Sequence, residues 1–600
     1  MFSINNDDLN DEQKKAIYEE NSVLLLACPG SGKTRTLIYK IAYELSRIDS
    51  IKKFVIAITY TNRAAEEIKE RVEILGVDTT QLWIGTIHSF CLHWILRPYH
   101  LYLENLKYGF NVINSYDSEK IITELCEKYK NPRINFWDCG VEARTDGIYL
   151  TCMDENKHSS LVEIMGNYYK ILLSNKQIDF EQILKYSWDL LEENSIICKA
   201  LSKIFSTILI DEYQDTKEIQ YNIIAKILKA NNGCTKVFIV GDPNQSIYAS
   251  LGGFPMLKSD LEGLLGFNLV SLSLERNYRS SSKIVEYFNY YKVNNAAINA
   301  FGVNKDYPSL LTYNNTVLVD DLIKEISNLI LINIKNYNIA PNEICIAAPH
   351  WIHIGVITRK LMVMHPDLSF DGPGMAPFSR DIDNFWFKVS KILLTEPSPD
   401  MYIRRLRWSS EILKDLELLG INTMHISNKE LLRVCNSIKI FENDGLKYLE
   451  SFFSILFKKL NIDWELIPSL QNHHKSFFES SSQKMQKLLA EGLSGVETLE
   501  NFKKVFKQKE GITVSTIHGV KGEEYDTVIG FALLDGFIPH FGDQDKDKSA
   551  KMMLYVLASR ARKNLHLISE KNRGPFNHYT PDGKKPTPQL EGYTYTYDDL

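Results

Sequence analysis

Short apolar runs alternate with longer stretches of helical spacing along most of this chain. The runs VLLL (23–26), ILI (208–210) and KVFIV (236–240) are each followed by glycine or by polar and acidic residues. A short apolar run bounded in this way is typical of a strand buried in a parallel sheet. Helical spacing is clearest in SEKIITELCEKY (118–129) and QILKYSWDLLEE (182–193). The alternation therefore predicts an α/β protein built on parallel sheets.

The segment ACPGSGKT, directly after the first run, predicts a phosphate-binding loop. Gly30 and Gly32 allow a tight turn whose backbone N–H groups face phosphate oxygens. A helix beginning near Lys33 adds the positive end of its dipole. Lys33 can neutralise the β- and γ-phosphates, and the Thr34 hydroxyl can bind Mg²⁺. The strict GxxxxGK[ST] pattern fails at Ala27, so a glycine-rich turn without a ligand stays an alternative at this point.

Carboxylates follow the second and third apolar runs. Asp211 and Glu212 come directly after ILI, Asp242 comes directly after KVFIVG, and Gln245 comes three residues later. Because ligands of open parallel sheets bind at the carboxyl ends of strands, these side chains fall at one sheet edge. Asp211 would hold Mg²⁺ there, and Glu212 would orient and polarise the attacking water. An acidic pair after a strand is usually a solvated turn, but the phosphate loop in the same chain favours the metal-and-water interpretation.

The composition limits the classes of protein to which this chain can belong. The 600 residues include 44% hydrophobic and 24% charged residues, as in soluble globular proteins. No run approaches the ~18 apolar residues that span a bilayer, and the acidic start does not resemble a signal peptide. Nine scattered cysteines without a CxxC pair favour the reduced thiols of a cytoplasmic protein. The net charge of −6 gives no support to charge-driven nucleic-acid binding, but it is compatible with a strand held by stacking in a narrow channel.

A series of ordered segments resembles the UvrD/Rep/PcrA-like superfamily 1 DNA helicases. In chain order they are LNDEQKKAI, ACPGSGKTR, ITYTNRAAEEIKERV, WIGTIHSF, IDEYQDT, VGDPNQSIY, LERNYRS, STIHGVKGEEYD and YVLASRARKNL. The alanine that opens the phosphate loop is the usual form in this family. The resemblance implies two RecA-like parallel-sheet motor domains, each interrupted by a mainly helical accessory insertion. It also implies ATP and Mg²⁺ as cofactors and single-stranded or tailed duplex DNA as the partner.

The resemblance assigns roles residue by residue. The adenine would meet the glutamine of the first segment, the phosphates would meet the loop, a tyrosine would stack on the base and a glutamate would reach the ribose. These nucleotide-binding residues are Gln13, Ala27, Cys28, Pro29, Gly30, Ser31, Gly32, Lys33, Thr34, Arg35, Tyr278 and Glu524. Two arginine fingers would stabilise the transition-state charge, and a glutamine would couple the γ-phosphate to the DNA strand. The catalytic set is Lys33, Asp211, Glu212, Gln245, Arg279 and Arg560, and the metal ligands are Thr34 and Asp211.

The same resemblance implies contacts to a DNA strand. The matching positions are Tyr60, Thr61, Asn62, His88 and His518. Aromatic faces stack on bases at ~1–3 kcal/mol per base, and polar side chains hold the phosphates. For Tyr60, a packed aromatic at a strand end is an equally good interpretation of the sequence alone.

One segment departs from the family pattern. After SIY, the family usually has an aromatic residue and an arginine, where this chain has Ser250 and Leu251. The stacking platform at this place is therefore expected to be lost, unless Phe254 replaces it. The ATP site is expected to be intact while part of the strand-binding surface is altered.

Motif spacing predicts the domain order. The first motor domain would comprise 1–90 and 200–280 around an accessory domain at 91–199, and the second would comprise 281–395 and 507–600 around a reduced accessory domain at 396–506. In that last insertion, the basic segment MYIRRLRW (401–408) would contact duplex DNA or a partner, or form a solvated helix face. The tyrosine-rich tail GYTYTYDDL (592–600) is expected to be ordered only by a partner.

Three functions stay open on sequence grounds. The leading hypothesis is an ATP-dependent single-stranded DNA translocase and helicase that moves 3′ to 5′. The alternative is a regulatory, DNA-stimulated ATPase subunit that partners a nuclease and unwinds little by itself. The helicase subunits of antiphage systems such as Gabija are similar in being compact UvrD-like proteins. An RNA-directed motor is the third hypothesis, and no nuclease constellation is visible in the sequence.

Overall fold

The chain forms two compact units in the computed structural model. The structure describes residues 9–230, 234–248, 252–372, 377–381, 384–490, 495–506, 511–540, 542–543, 545–574 and 583–600. Unit 1 comprises residues 1–112, 125–353 and 515–600, and unit 2 comprises residues 113–124 and 354–514. The segments predicted to bind the nucleotide all belong to unit 1.

The first sheet of unit 1 has six strands, and all of its neighbouring pairs are parallel. Their order across the sheet is Val270–Leu274, Val23–Ala27, Lys236–Gly241, Phe205–Ile210, Phe54–Ile58 and Leu82–Gly85. The strands predicted from the three apolar runs are confirmed. Alternate residues enter two separate cores, with Leu24 in one and Val23 and Leu25 in the other. Both faces of the sheet are covered, which explains why these strands are uniformly apolar.

Helices make up much of the same part of the chain. In the first part of unit 1 they are Asp11–Tyr18, Lys33–Ser46, Asn62–Ile74, Ile87–Phe90, Arg97–Tyr99, Glu155–Ser174, Phe180–Glu193, Ser195–Ile204, Glu218–Lys229, Lys258–Leu265 and Ser282–Asn289, and a stretch of wider π-type turns covers Cys91–Leu96. The helix predicted from QILKYSWDLLEE is confirmed, and it starts with a capping box between Asp179 and Gln182. The helix predicted from SEKIITELCEKY is present as Ser115–Cys126, and most of it belongs to unit 2.

Short strand pairs lie outside the large sheets. Asn111–Val112 pairs with Gln177–Ile178 in parallel, Val141–Arg144 and Gly147–Leu150 form an antiparallel hairpin, and Arg276–Asn277 pairs with Asn299–Ala300. Short 3₁₀ turns occur at His100–Tyr102, Phe136–Cys139, Tyr213–Asp215, Pro243–Gln245, Pro341–Glu343 and Trp351–His353. One of these turns, Pro243–Gln245, carries a residue of the predicted catalytic set, Gln245.

A second parallel sheet contributes four neighbouring strands to unit 1. Their order is Leu311–Asn314, Ala561–Ile568, Tyr525–Gly530 and Ile344–Ala348. The helices Leu322–Lys335, Lys546–Ala558 and Pro588–Glu591 belong to the same part of the unit. Both sheets are parallel, as a pair of RecA-like motor folds requires, so the predicted fold class is confirmed.

One buried histidine lies within this second sheet. His566 has no exposed surface, and its ring nitrogens bond to Thr312 Oγ1 at 2.8 Å and Asn333 Nδ2 at 2.9 Å. Because burial disfavours the charged ring, it lowers the pKa of His566 to about 3. The ring is therefore a neutral, fully bonded part of the core.

The tail of the chain packs on the helix Ser282–Asn289 and the residues that follow it. The Tyr593 ring stacks on Tyr290 with centroids 3.7 Å apart, and the Tyr597 hydroxyl lies 3.0 Å from that of Tyr287. Asp598 accepts a 2.6 Å ion pair from Lys283. The expectation that only a partner orders this tail is wrong, because aromatic stacking and an ion pair within the chain already fix it.

Unit 2 is mainly helical. Its elements are Ile354–Met364, Phe370–Asp371, Phe385–Leu393, Pro399–Leu418, Asn428–Ser437, Gly445–Lys459, Trp464–Leu466, Pro468–Ala490, Leu499–Lys504 and the strand Ile512–Thr516, which continues into unit 1. An aromatic-rich core surrounds the fully buried Trp386. Within the basic segment, Arg405 is buried and donates to Thr395 O and Asn436 Oδ1, and Trp408 is buried too. Part of this segment is therefore a structural element of the core.

The described residues contain neither a candidate membrane span nor a candidate metal cluster. Among them, no helix has both the length and the apolar character to cross a bilayer. In the same residues, no group of three or more His, Cys, Asp or Glu side chains is arranged to hold a metal ion.

Candidate nucleotide site

The phosphate loop joins the strand Val23–Ala27 to the helix Lys33–Ser46, as the sequence predicts. Gly30 and Gly32 have φ angles of +68° and +80°, in the left-handed region that favours glycine. A Cβ atom on Gly30 would lie 2.5 Å from the Cβ of Arg279, and one on Gly32 would lie 2.6 Å from Gln13 Nε2. The loop is thus a close-fitted cradle whose shape depends on both glycines.

The residues expected around the adenine surround this loop. Gln13 Nε2 donates to Ser31 O at 2.9 Å, and its Oε1 accepts from Asn10 N at 3.0 Å. Asn10 Nδ2 donates to the Tyr278 hydroxyl at 2.7 Å, and Tyr278 N donates to Gly30 O at 2.8 Å. Gln13 therefore fixes the loop backbone directly, a role that the sequence did not suggest.

A buried asparagine supports the same loop. Asn277 Nδ2 donates to Pro29 O at 2.7 Å, and its Oδ1 accepts from the backbone N–H groups of Arg279 and Ser280 at 3.0 and 2.8 Å. Its side chain has no exposed surface. Asn277 thus ties the phosphate loop to the segment that carries one predicted arginine finger. In the sequence, the polar side chain of Asn277 within LERNYRS was the feature that could have indicated this role.

Lys33 lies against the two strand-end carboxylates. Its Nζ contacts Glu212 Oε1 and is 3.6 Å from Asp211 Oδ1. Burial raises the pKa of Asp211, and the charge of Lys33 offsets this only in part. Burial would also raise the pKa of Glu212, but the Lys33 charge and hydrogen bond lower it instead. Neighbouring carboxyls with opposite pKa shifts are suited to separate chemical roles.

The backbone of Glu212 is unusual. Its φ of +53° is left-handed, which costs a non-glycine residue of order 1–2 kcal/mol. Such conformations persist where the surrounding structure fixes them, and they cluster at functional sites. The strained residue is also the candidate general base.

A continuous polar chain leads from this carboxylate to the predicted finger Arg560. Gln214 Nε2 donates to Glu212 Oε2, and Gln214 Oε1 accepts from Asp242 N at 3.1 Å. Asp242 Oδ2 accepts from Gln245 Nε2 at 2.8 Å, and Gln245 Oε1 accepts from Arg560 Nη2 at 2.8 Å. Two of the four links join residues far apart in sequence, Gln214 with Asp242 and Gln245 with Arg560. No role was assigned to Gln214 from the sequence.

Both predicted arginine fingers lie at this site. Arg560 is 2% exposed, and burial, with a smaller effect from the charge of Arg279, lowers its pKa to about 9. Its guanidinium therefore stays protonated at neutral pH. Arg279 Nε donates to Glu524 Oε2 at 2.7 Å, and its Nη1 donates to Ser559 O at 2.9 Å. Within the described residues, the Nη2 group of Arg279 has no hydrogen-bond partner, so it can donate a hydrogen bond to a bound anion.

The remaining loop residues frame the site. Cys28 is buried and bonds through its N–H to Leu274 O at 3.1 Å, so it supports the loop from the sheet. Thr34 and Arg35 are the second and third residues of the helix that follows, and Arg35 is exposed. Hydroxyl and carboxylate oxygens are the ligands that Mg²⁺ prefers, usually with substrate phosphates and water. The donor set of Thr34 and Asp211 fits that ion.

Two of the residues expected to contact a DNA strand, Tyr60 and His518, lie in a row of aromatic rings. Tyr60 is 40% exposed, and its ring stacks on Tyr248 with centroids 4.9 Å apart. The Tyr248 ring in turn lies 5.4 Å from that of His518. Lys521 lies 5.0 Å above Tyr248, and its Nζ bonds to the carbonyl of Gln245 at 2.5 Å. The row is thus linked to the polar chain at Gln245, through a lysine that the sequence analysis missed.

Other predicted DNA contacts have structural partners. Thr61 caps the helix Asn62–Ile74 by accepting from Ala64 N at 3.1 Å, so Asn62 is its first residue. The His88 ring packs against Phe180 at 5.6 Å, and burial lowers its pKa to about 4. A neutral ring can donate a hydrogen bond to a phosphate but brings no charge. Any role of these residues in DNA binding stays a prediction.

The segment that departs from the family pattern is only partly described. Ser250 and Leu251 lie outside the described residues. Phe254, the expected replacement, is 39% exposed, and its ring packs edge-on against Tyr221 at 6.0 Å.

Comparison with known proteins identifies the family. Residues 9–257 match the UvrD/REP helicase N-terminal domain, and residues 427–572 match the UvrD-like helicase C-terminal domain. The chain therefore belongs to the UvrD-like superfamily 1 helicases. It is 31% identical to DNA helicase II of Escherichia coli over 304 residues, covering 48% of this chain and 41% of that protein. It is 30% identical to the ATP-dependent DNA helicase PcrA of Staphylococcus aureus over 308 residues, covering 48% of this chain and 40% of that protein. The match spans about two fifths of the length of these curated relatives.

Proposed function

We propose that this protein hydrolyses ATP to move along single-stranded DNA and to separate duplexes. The observation that carries the proposal is the chain of contacts from Lys33 to Arg560, which includes the backbone N–H of Asp242 and joins a phosphate loop, two carboxylates and a buried guanidinium. The names of the relatives agree with it, since those proteins are DNA helicases.

In the proposed reaction, each charged group has a task. Lys33 and the loop N–H groups bind the β- and γ-phosphates, and Glu212 orients the water and accepts its proton. Arg279 and Arg560 stabilise the negative charge that spreads over the γ-phosphate in the transition state. Mg²⁺, held by Thr34 and Asp211, would neutralise phosphate charge.

The same side chains offer a route from nucleotide to strand. Gln245 bonds to Arg560 through its side chain and to Lys521 through its carbonyl. Lys521 lies over Tyr248, whose ring stacks on Tyr60. A shift of Gln245 on hydrolysis would therefore move the aromatic row that we propose stacks on bases. Movement 3′ to 5′ and a cytoplasmic location stay predictions from the sequence.

A strand-displacement assay tests the proposal. The protein with ATP and Mg²⁺ should release a labelled strand from a duplex with a 3′ single-stranded tail and leave a 5′-tailed duplex paired. Displacement only from the 5′-tailed duplex would contradict the direction. ATP hydrolysis stimulated by DNA without displacement would favour the regulatory subunit, and a nuclease would then be sought by co-purification. Equal stimulation by a matched RNA oligomer would contradict the DNA assignment.

A further inference from the structure

Glu524, the residue expected at the ribose, lies between two arginines. Its Oε2 accepts from Arg279 Nε at 2.7 Å, and its Oε1 accepts from Arg562 Nη1 at 3.2 Å. Burial would raise the pKa of Glu524, but the charges of these two arginines lower it. The carboxylate is therefore ionised and held from both sides. No role was assigned to Arg562 from the sequence.

Arg562 is itself fixed by further carboxylates. Its Nε donates to Asp526 Oδ1 at 2.7 Å, and its Nη2 contacts Glu343 Oε2. Burial would lower the pKa of Arg562, but these carboxylates raise it, so the guanidinium stays charged. Three carboxylates around one planar, forked cation leave its side chain little freedom to reorient.

Hydrogen bonds join the cluster around Arg562 to the predicted finger Arg279 in two ways. The Ser280 hydroxyl donates to Ala561 O at 2.6 Å, and Ser281 N donates to Arg562 O at 3.1 Å, so the backbone after Arg279 is bonded to the Arg562 strand. The second route is Glu524, which bonds the Arg279 guanidinium. The Cβ of Arg279 lies close against Gly30, and the hydrogen bonds that direct its guanidinium are those to Glu524 and to Ser559 O.

We propose that Arg562 is a positioning residue for ATP hydrolysis. It holds the Glu524 carboxylate in place, and Glu524 aims the Arg279 guanidinium at the phosphate loop. The inference rests on the proposed function, because it assumes that Arg279 acts on the transferring phosphate. It assigns Arg562 no contact with the nucleotide.

Steady-state ATPase kinetics with saturating single-stranded DNA test the inference. In Arg562→Gln, kcat should fall about tenfold while KM for ATP changes by less than about threefold, because a misdirected finger affects only the transition state. In a Glu524→Gln background, adding Arg562→Gln should lower kcat by less than about twofold, since the two residues act in series. The matched control is Lys563→Gln, because Lys563 pairs with Asp526 at 2.8 Å and makes no contact with Glu524. It should keep the wild-type kcat.

Each other outcome counts against the inference. Unchanged kcat in Arg562→Gln, an equal loss in Lys563→Gln, or multiplicative losses in the double variant would overturn it. If Arg562→Gln does not fold, Arg562→Lys keeps the charge but not the fork, and its kcat should still fall about threefold at unchanged KM. A wild-type chain without ATP turnover would contradict the proposed function itself, whereas an active wild type with an unaffected Arg562 variant would contradict this inference alone.

Discussion

The contact between the phosphate loop and Arg279 can be tested by adding one methyl group. In Gly30→Ala, the new Cβ would meet the Cβ of Arg279 at 2.5 Å, so one of them must move by about 1 Å to reach ordinary van der Waals contact. The left-handed φ of +68° adds of order 1–2 kcal/mol of strain. Because misplacing a catalytic group by about 1 Å can lower the rate about 100-fold, we expect kcat for ATP hydrolysis to fall 10- to 100-fold.

Gly76→Ala is the matched control for this change. Gly76 has a φ of +71°, but a Cβ there would meet nothing within 4 Å. Gly76→Ala therefore carries the left-handed φ strain without the clash, and it should lower the melting temperature by that strain alone, while only Gly30→Ala loses ATPase activity at saturating ATP and DNA. If Gly30→Ala keeps a kcat within about threefold of the control, the loop does not position Arg279 for catalysis, and the reasoning is refuted.

Three further predictions concern single side chains. Arg560→Ala should lower single-turnover ATP hydrolysis about 10³-fold or more and leave binding of a fluorescent ATP analogue nearly unchanged; a loss of binding instead would contradict the finger role. Tyr593→Ala should destabilise the tail by about 1 kcal/mol through the lost stack on Tyr290, measured as faster limited proteolysis of the tail; unchanged proteolysis would contradict this. His566 has a folded pKa of about 3 and an unfolded value of about 6.5, so its contribution is complete above pH 6.5 and is lost as the pH falls toward 3. The loss is of order 5 kcal/mol, and His566→Gln should flatten the acid side of the stability curve measured by denaturant unfolding.

Much of the fold was predictable because local patterns determine it. The strand Val23–Ala27 and the helix Lys33–Ser46 follow from an apolar run, a glycine-rich turn and a helical stretch in direct succession. The parallel arrangement follows from strands that alternate with helices. The order of the strands in each sheet did not follow, because it depends on long-range pairing.

The candidate site was predictable as a set of residues, but its connections were not. Gln245 and Arg560 are 315 positions apart, and only the folded chain shows that their side chains bond. Gln214 and Lys521 stood inside quoted motifs, yet their spacing to other polar residues carries no sign of the contacts they make. The tail was misjudged because aromatic spacing does not show that Tyr290 offers a stacking partner for Tyr593.

The most direct test of the account is the rate of ATP hydrolysis with and without single-stranded DNA, compared between the wild type, Lys33→Ala and Glu212→Gln. The wild type should turn over ATP, and single-stranded DNA should stimulate the rate. Both variants should lack turnover while keeping the wild-type circular dichroism spectrum and melting profile. Near-normal hydrolysis in both variants would show that ATP is not processed between Lys33 and the two arginines, and the proposed function would then be wrong.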